Sequence, residues 1–134
     1  MESVFMRVHE HWHLIALEDL DSAKHLCTRS YMTTLFHVQQ CAEKALKSYI
    51  VLKKGSVKRI HDLVQLVNIC MDIDKAFEEL RPLAIELDPY ETVGRYPDKD
   101  FKKLSQEKLQ KLIEQSEFIF NFAMAEINKK NKPS

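Results

Sequence analysis

The chain has 134 residues, of which 45% are hydrophobic and 30% charged, the balance of a soluble globular protein and not of a disordered one. Twenty basic side chains offset twenty acidic ones, so any nucleic-acid contact rests on a local patch and not on a global field. Two glycines and four prolines exclude a Gly-rich phosphate loop and argue for long helices with few connections.

One domain is expected over residues 1–134, with 129–134 as a basic, frayed tail. The first helix is expected over about 5–28, with Val8, Trp12, Ile15, Ala16, Ala23, Leu26 and Cys27 at three- and four-residue steps on one face. A second helix is expected over about 31–54, with Val38, Cys41, Ala42, Ala45, Leu46, Tyr49 and Leu52 as its apolar side. Gly55 stands where a left-handed cap belongs, and Lys53 and Lys54 suit the negative helix end.

A third, shorter helix is expected from His61 to Met71, with Leu63, Leu66, Val67 and Cys70 facing in. Asp72 and Asp74 offer caps to a fourth segment running to Leu87, which Pro82 should kink or divide. Asp88 to Lys103, with Pro89, Gly94 and Pro97, reads as a loop, and Ser105 to Lys129 as the last helix. No segment alternates as a half-buried strand would, so the pattern predicts an all-α, up-and-down bundle of four to five helices.

Cys27, Cys41 and Cys70 lie in apolar periodic segments without a CxxC pair, which makes them core residues and not a metal or redox motif. The start of the chain shows no basic segment followed by an apolar run, and no uncharged run approaches the roughly 20 residues of a membrane span. A cytoplasmic protein without membrane contact is expected.

His9-Glu10-His11-Trp12-His13 matches H-E-x-x-H, in which two histidines one turn apart bind zinc and the glutamate acts as a base. Only eight residues precede it, and no third histidine follows at metzincin spacing. No metal-dependent peptidase and no stoichiometric structural metal is therefore expected, and His9 with His13 is read at most as an adventitious metal site.

On the second helix Gln39, Gln40, Glu43, Lys44 and Lys47 fall within an arc of roughly 140° at about 100° per residue. Glu43 and Lys47 are spaced as an ordinary i,i+4 ion pair on a solvated face. Phe36 in the middle of the arc, with Ile50 and Val51 on its border, suits instead a helix lining a cleft or meeting a partner. Lys47, as an exposed helical lysine, is expected to be dispensable for folding. Lys53, Lys54, Lys58, Arg59 and His61 gather positive charge around one loop, either as a phosphate patch or as helix-end complementarity. Arg95 and Tyr96 stand in a sparse loop. Arg95 is read either as an anchor pairing with Glu43 or as an anion contact, with Tyr96 as a stacking surface.

Trp12, Ala16, Asp19-Leu20 and Ala23, then Gln39-Gln40-Cys41-Ala42-Glu43-Lys44-Ala45-Leu46-Lys47, then His61-Asp62-Leu63 occur in this order. Leu87-Asp88-Pro89-Tyr90 and Gly94-Arg95-Tyr96-Pro97-Asp98 follow. In order and spacing the chain resembles the HEPN domain family, small helical domains tied to nucleotide and RNA biology. The resemblance implies a helical bundle, usually a homodimer, and often a small nucleotidyltransferase as neighbour or fused domain. Some members are metal-independent RNases of toxin–antitoxin systems, which carry Arg, four to six residues, then His near the last long helix. No Arg or His follows Arg95 here, so that activity does not carry over.

The expected function is a non-catalytic HEPN-type domain, without cofactor, binding a nucleotide, an RNA or a nucleotidyltransferase partner. Gln40, Glu43, Lys44, Lys47, His61, Arg95 and Tyr96 are its candidate ligand face. One alternative is a divergent metal-independent RNase using His61 and Arg95, with His as base and Arg steadying the phosphorane. Another is a purely structural dimeric module.

Overall fold

Helix formation follows the apolar periodicity, and the capping residues set where each helix begins and ends. The computed structural model describes residues 6–93 and 102–129. Its elements are α1 (Val8–Leu26), α2 (Tyr31–Lys54), α3 (Leu63–Ile73), a 3-10 helix (Lys75–Leu80), α4 (Arg81–Leu87), α5 (Tyr90–Val93) and α6 (Gln106–Ile127). Among the described residues there is no strand.

The Arg7 N–H donates to Glu10 Oε1 at 3.1 Å and closes the start of α1. Gly55, at φ 86°, ends α2 in the left-handed region, and its N–H donates to the Val51 carbonyl at 2.8 Å. Asp62 accepts from the Gln65 N–H at 3.2 Å, so α3 begins at Leu63 and leaves His61 outside the helix. Asp74, and not Asp72, caps the next turn, accepting from the Ala76 N–H at 2.9 Å. Pro82 divides this segment into a 3-10 helix and α4, because proline fits the first turn of a helix but not its interior. Ser105 Oγ accepts from the Lys108 N–H at 3.0 Å at the head of α6.

α2 is the central helix and touches α1, α3, α4, α5 and α6. Leu35, Val38, Cys41, Ala42, Ala45, Leu46, Tyr49 and Ile50 are all buried in it. α1 runs antiparallel to α2, since Asp19 meets His37 while His9 meets Ser48. α6 runs antiparallel to α1, with Lys24 Nζ 2.7 Å from Glu117 at one end and His13 against Met124 at the other. Ser116 Oγ donates to the Val38 carbonyl at 2.7 Å, which lets α6 pack against α2 without stranding a hydroxyl. The third layer is α3 with the 3-10 helix and α4, closed by Leu63, Leu66, Val67, Phe77, Leu80 and Leu87.

Three expectations are corrected. Val8 is 64% exposed, because it stands at the first turn of α1, before the helix reaches the core. Leu20, absent from the expected face, is buried. The stretch 88–103 is not all loop, since Tyr90–Val93 forms one helical turn, too short for any apolar period to announce. Cys41 and Cys70 are buried and Cys27 is half-buried. Burial pushes the Cys41 thiol up to about 12, so it is not a thiolate at neutral pH.

Candidate functional site

Glu43 sits on a turn of α2 near both Trp12 of α1 and His61 before α3, and its carboxylate is fully buried. A buried carboxylate needs partners. Lys47 Nζ lies 3.0 Å and Lys44 Nζ 3.1 Å from Glu43 Oε2. Gln39 Nε2 donates to Glu43 Oε1 at 3.4 Å and to the His61 carbonyl at 3.2 Å. Gln40 Nε2 donates to Gln39 Oε1 at 2.7 Å. His61 Nδ1 lies 3.3 Å from Glu43 Oε2, while its side chain remains 54% exposed.

Trp12 of α1 forms one wall of this cluster. Lys44 Nζ is 5.2 Å and Lys47 Nζ 5.4 Å from its ring centroid, distances at which an ammonium is drawn to an indole face. Burial raises the Glu43 carboxyl, but Lys44 and Lys47 together outweigh it and hold it below the usual carboxylate range. Two ammonium groups therefore face one carboxylate. Lys44 also lies in the field of the Asp19 carboxyl, and both ammonium groups stand beside a half-buried indole.

The structure thus brings together Gln40, Glu43, Lys44, Lys47 and His61, and separates them by access. Gln40 and Lys47 are buried, so Lys47 is no dispensable surface lysine, and that expectation is corrected. Lys44, half-buried, forms the accessible rim with His61 and Trp12. Arg95 and Tyr96 lie outside the described residues. Of the basic loop, Lys53, Lys54, Lys58 and Arg59 are exposed, and Lys53 Nζ lies 5.8 Å from the Tyr49 ring centroid.

Two features escape the sequence reading. The spacing of Trp12 reads as core, although a lone indole one antiparallel step from a double-lysine turn signals more than packing. His37 Nδ1 lies 2.7 Å from Asp19 Oδ1. Burial raises the Asp19 carboxyl above its ordinary value despite the hydrogen bond with His37. Among the described residues no group of three or more His, Cys, Asp and Glu is placed to hold a metal. None of the described helices is long and apolar enough to cross a membrane.

The HEPN domain family model matches residues 9–128, and the chain belongs to that family. Its fold is similar to that of ST0689, an archaeal HEPN homologue, at 26% identity and a TM-score of 0.72, over 92% of this chain and 100% of that one. It is also similar to TT1696 from Thermus thermophilus, at 25% identity and a TM-score of 0.75, over 90% of this chain and 98% of that one. No curated protein matches the chain.

Proposed function

We propose that this HEPN domain is a non-catalytic binding module that takes a phosphate-bearing nucleotide, free or as part of an RNA, at the rim of the Glu43 cluster. The observation that carries the reading is the pair of ammonium groups on one buried carboxylate, held against Trp12. The Lys44 ammonium at the accessible rim suits a phosphate, and the indole suits a base. Glu43 and Lys47 hold the geometry, Lys44 and His61 meet the ligand, and Arg95 and Tyr96 are proposed to complete the site. The module acts as a homodimer in the cytoplasm, where three free cysteines are at home. A small nucleotidyltransferase, as in toxin–antitoxin pairs of the family, is its proposed partner.

Trp12 is the only tryptophan in the chain, so its emission reports directly on the site. Titration with AMP, ATP and a short RNA should change that emission. Lys44→Ala removes a charge-assisted contact of about 1.5–3 kcal/mol, so affinity falls roughly ten- to a hundred-fold. Equal affinity in wild type and Lys44→Ala, or no spectral change with any of the three, rejects the reading.

One observation favours a second reading, a divergent metal-independent RNase. His61 is half-exposed, with Glu43 at its Nδ1, an arrangement that orients an imidazole as a base.

A further inference from the structure

The two histidines of the H-E-x-x-H segment have no role in the Glu43 cluster. Trp12 turns to α2, whereas His9 and His13, one helical turn apart, turn to the other flank of α1 and line a cavity of about 280 Å³ between α1, α2 and α6. Met124 of α6 lines the same cavity, and its Sδ meets His13 Nδ1. Ser48 Oγ donates to the His9 carbonyl at 2.7 Å and pins that turn of α1 to α2. The Phe120 ring lies 5.3 Å from that of His13.

We propose that His9, His13 and Met124 form a binding site for one copper(I) ion. Two imidazole nitrogens and a thioether sulfur make a soft donor set, which selects Cu(I) over hard cations. All three donors are neutral, so a monovalent ion loses less hydration on entering than a divalent one would. Glu10, the acid of the zinc-peptidase pattern, is engaged with the Arg7 N–H and adds no hard ligand through that oxygen. The bound ion would tie the start of α1 to the end of α6.

The test is anaerobic titration of tag-free, full-length protein with Cu(I) against a chromophoric cuprous chelator. One ion per chain is expected. Met124→Leu and His13→Gln should each weaken binding by at least about tenfold, the usual cost of disturbing a metal site. Met124→Leu conserves volume and so keeps the fold. X-ray absorption on the wild type should show one thioether sulfur with two nitrogens, and this reads the site without any variant. Absence of one-to-one binding overturns the proposal, as does unchanged affinity in both variants. A Cu–thiolate spectrum lost in Cys27→Ser overturns it too, by moving the ion to the half-buried thiol.

Discussion

The carboxylate of Asp88, just beyond α4, closes the amino end of α3 by accepting the Leu63 N–H at 2.6 Å. Its second oxygen takes the Val64 N–H at 3.3 Å, so one side chain satisfies two free donors of a helix 24 and 25 residues away. Asp62, the residue that caps α3 locally, hydrogen-bonds to the same carboxyl group.

This pair predicts an unusual pH dependence. Burial, reinforced by the hydrogen bond with Asp62, pushes Asp88 up to about 6. The same hydrogen bond holds Asp62 below its ordinary value. Between about pH 4 and 6 the folded pair keeps a proton that an unfolded aspartate, near 3.9, has released. The pair's contribution to stability is therefore present at low pH and lost as pH rises through that window. Asp62→Asn still caps α3 but cannot share the proton. Denaturant midpoints should show the variant gaining on wild type from pH 4 to pH 7, and parallel curves would refute the shared proton.

At Glu43 the sign reverses. Its depressed pKa means that its stabilisation is complete above the unfolded value of about 4.3 and is lost as pH falls through the folded one. Glu43→Gln leaves the buried Lys47 ammonium uncompensated and should cost about 3–5 kcal/mol at pH 7. The penalty should shrink on acidification, because the wild type then loses the same charge. Chemical denaturation at pH 7 and pH 3 measures both, and a constant small difference would mean that water already solvates the cluster.

Gly55 isolates a backbone effect. A Cβ built there meets nothing within 4 Å, so Gly55→Ala carries only the cost of φ 86°, about 1–2 kcal/mol for an L-residue. Gly55→Asn should lose less, because asparagine tolerates that region. Thermal melts that rank alanine above asparagine would contradict the assignment.

The proposed homodimer is tested by light scattering, which should return twice 15.8 kDa at micromolar concentration. Phe36, half-buried beside His37, is the contact proposed from its place in the polar row. Phe36→Ser should reduce the particle to one chain. A wild-type monomer removes the dimer and leaves the single-chain site intact.

The fold is legible wherever one local rule acts. Gly55 announces the end of α2, Pro82 announces the break before α4, and the three- and four-residue steps announce the long helices. α5 is not legible, since four residues carry no period. The site is half legible. A helical wheel places Glu43 and Lys47 together but cannot say whether the turn meets water. That depends on Trp12, which the chain brings back only by reversing between α1 and α2. The Asp88 cap of α3 and the meeting of His13 with Met124 are beyond local reasoning, because their partners are 25 and 111 residues apart.

Among the described residues, polar contacts that cross the seam between α1 and α2 include Asp19 with His37, Trp12 over Lys44 and Lys47, and the His9 carbonyl with Ser48. Around these contacts α1 buries Ala16, Leu20 and Ala23, and α2 buries Leu35, Val38, Ala42, Ala45, Leu46, Tyr49 and Ile50. Hydrophobic attraction is non-directional and does not by itself name one register. A slip of one turn, about 5.4 Å, would separate all three polar contacts at once and uncover two ammonium groups. The polar residues thus act as the teeth of a ratchet, and alignment of the first two helices depends on the residues least suited to a core.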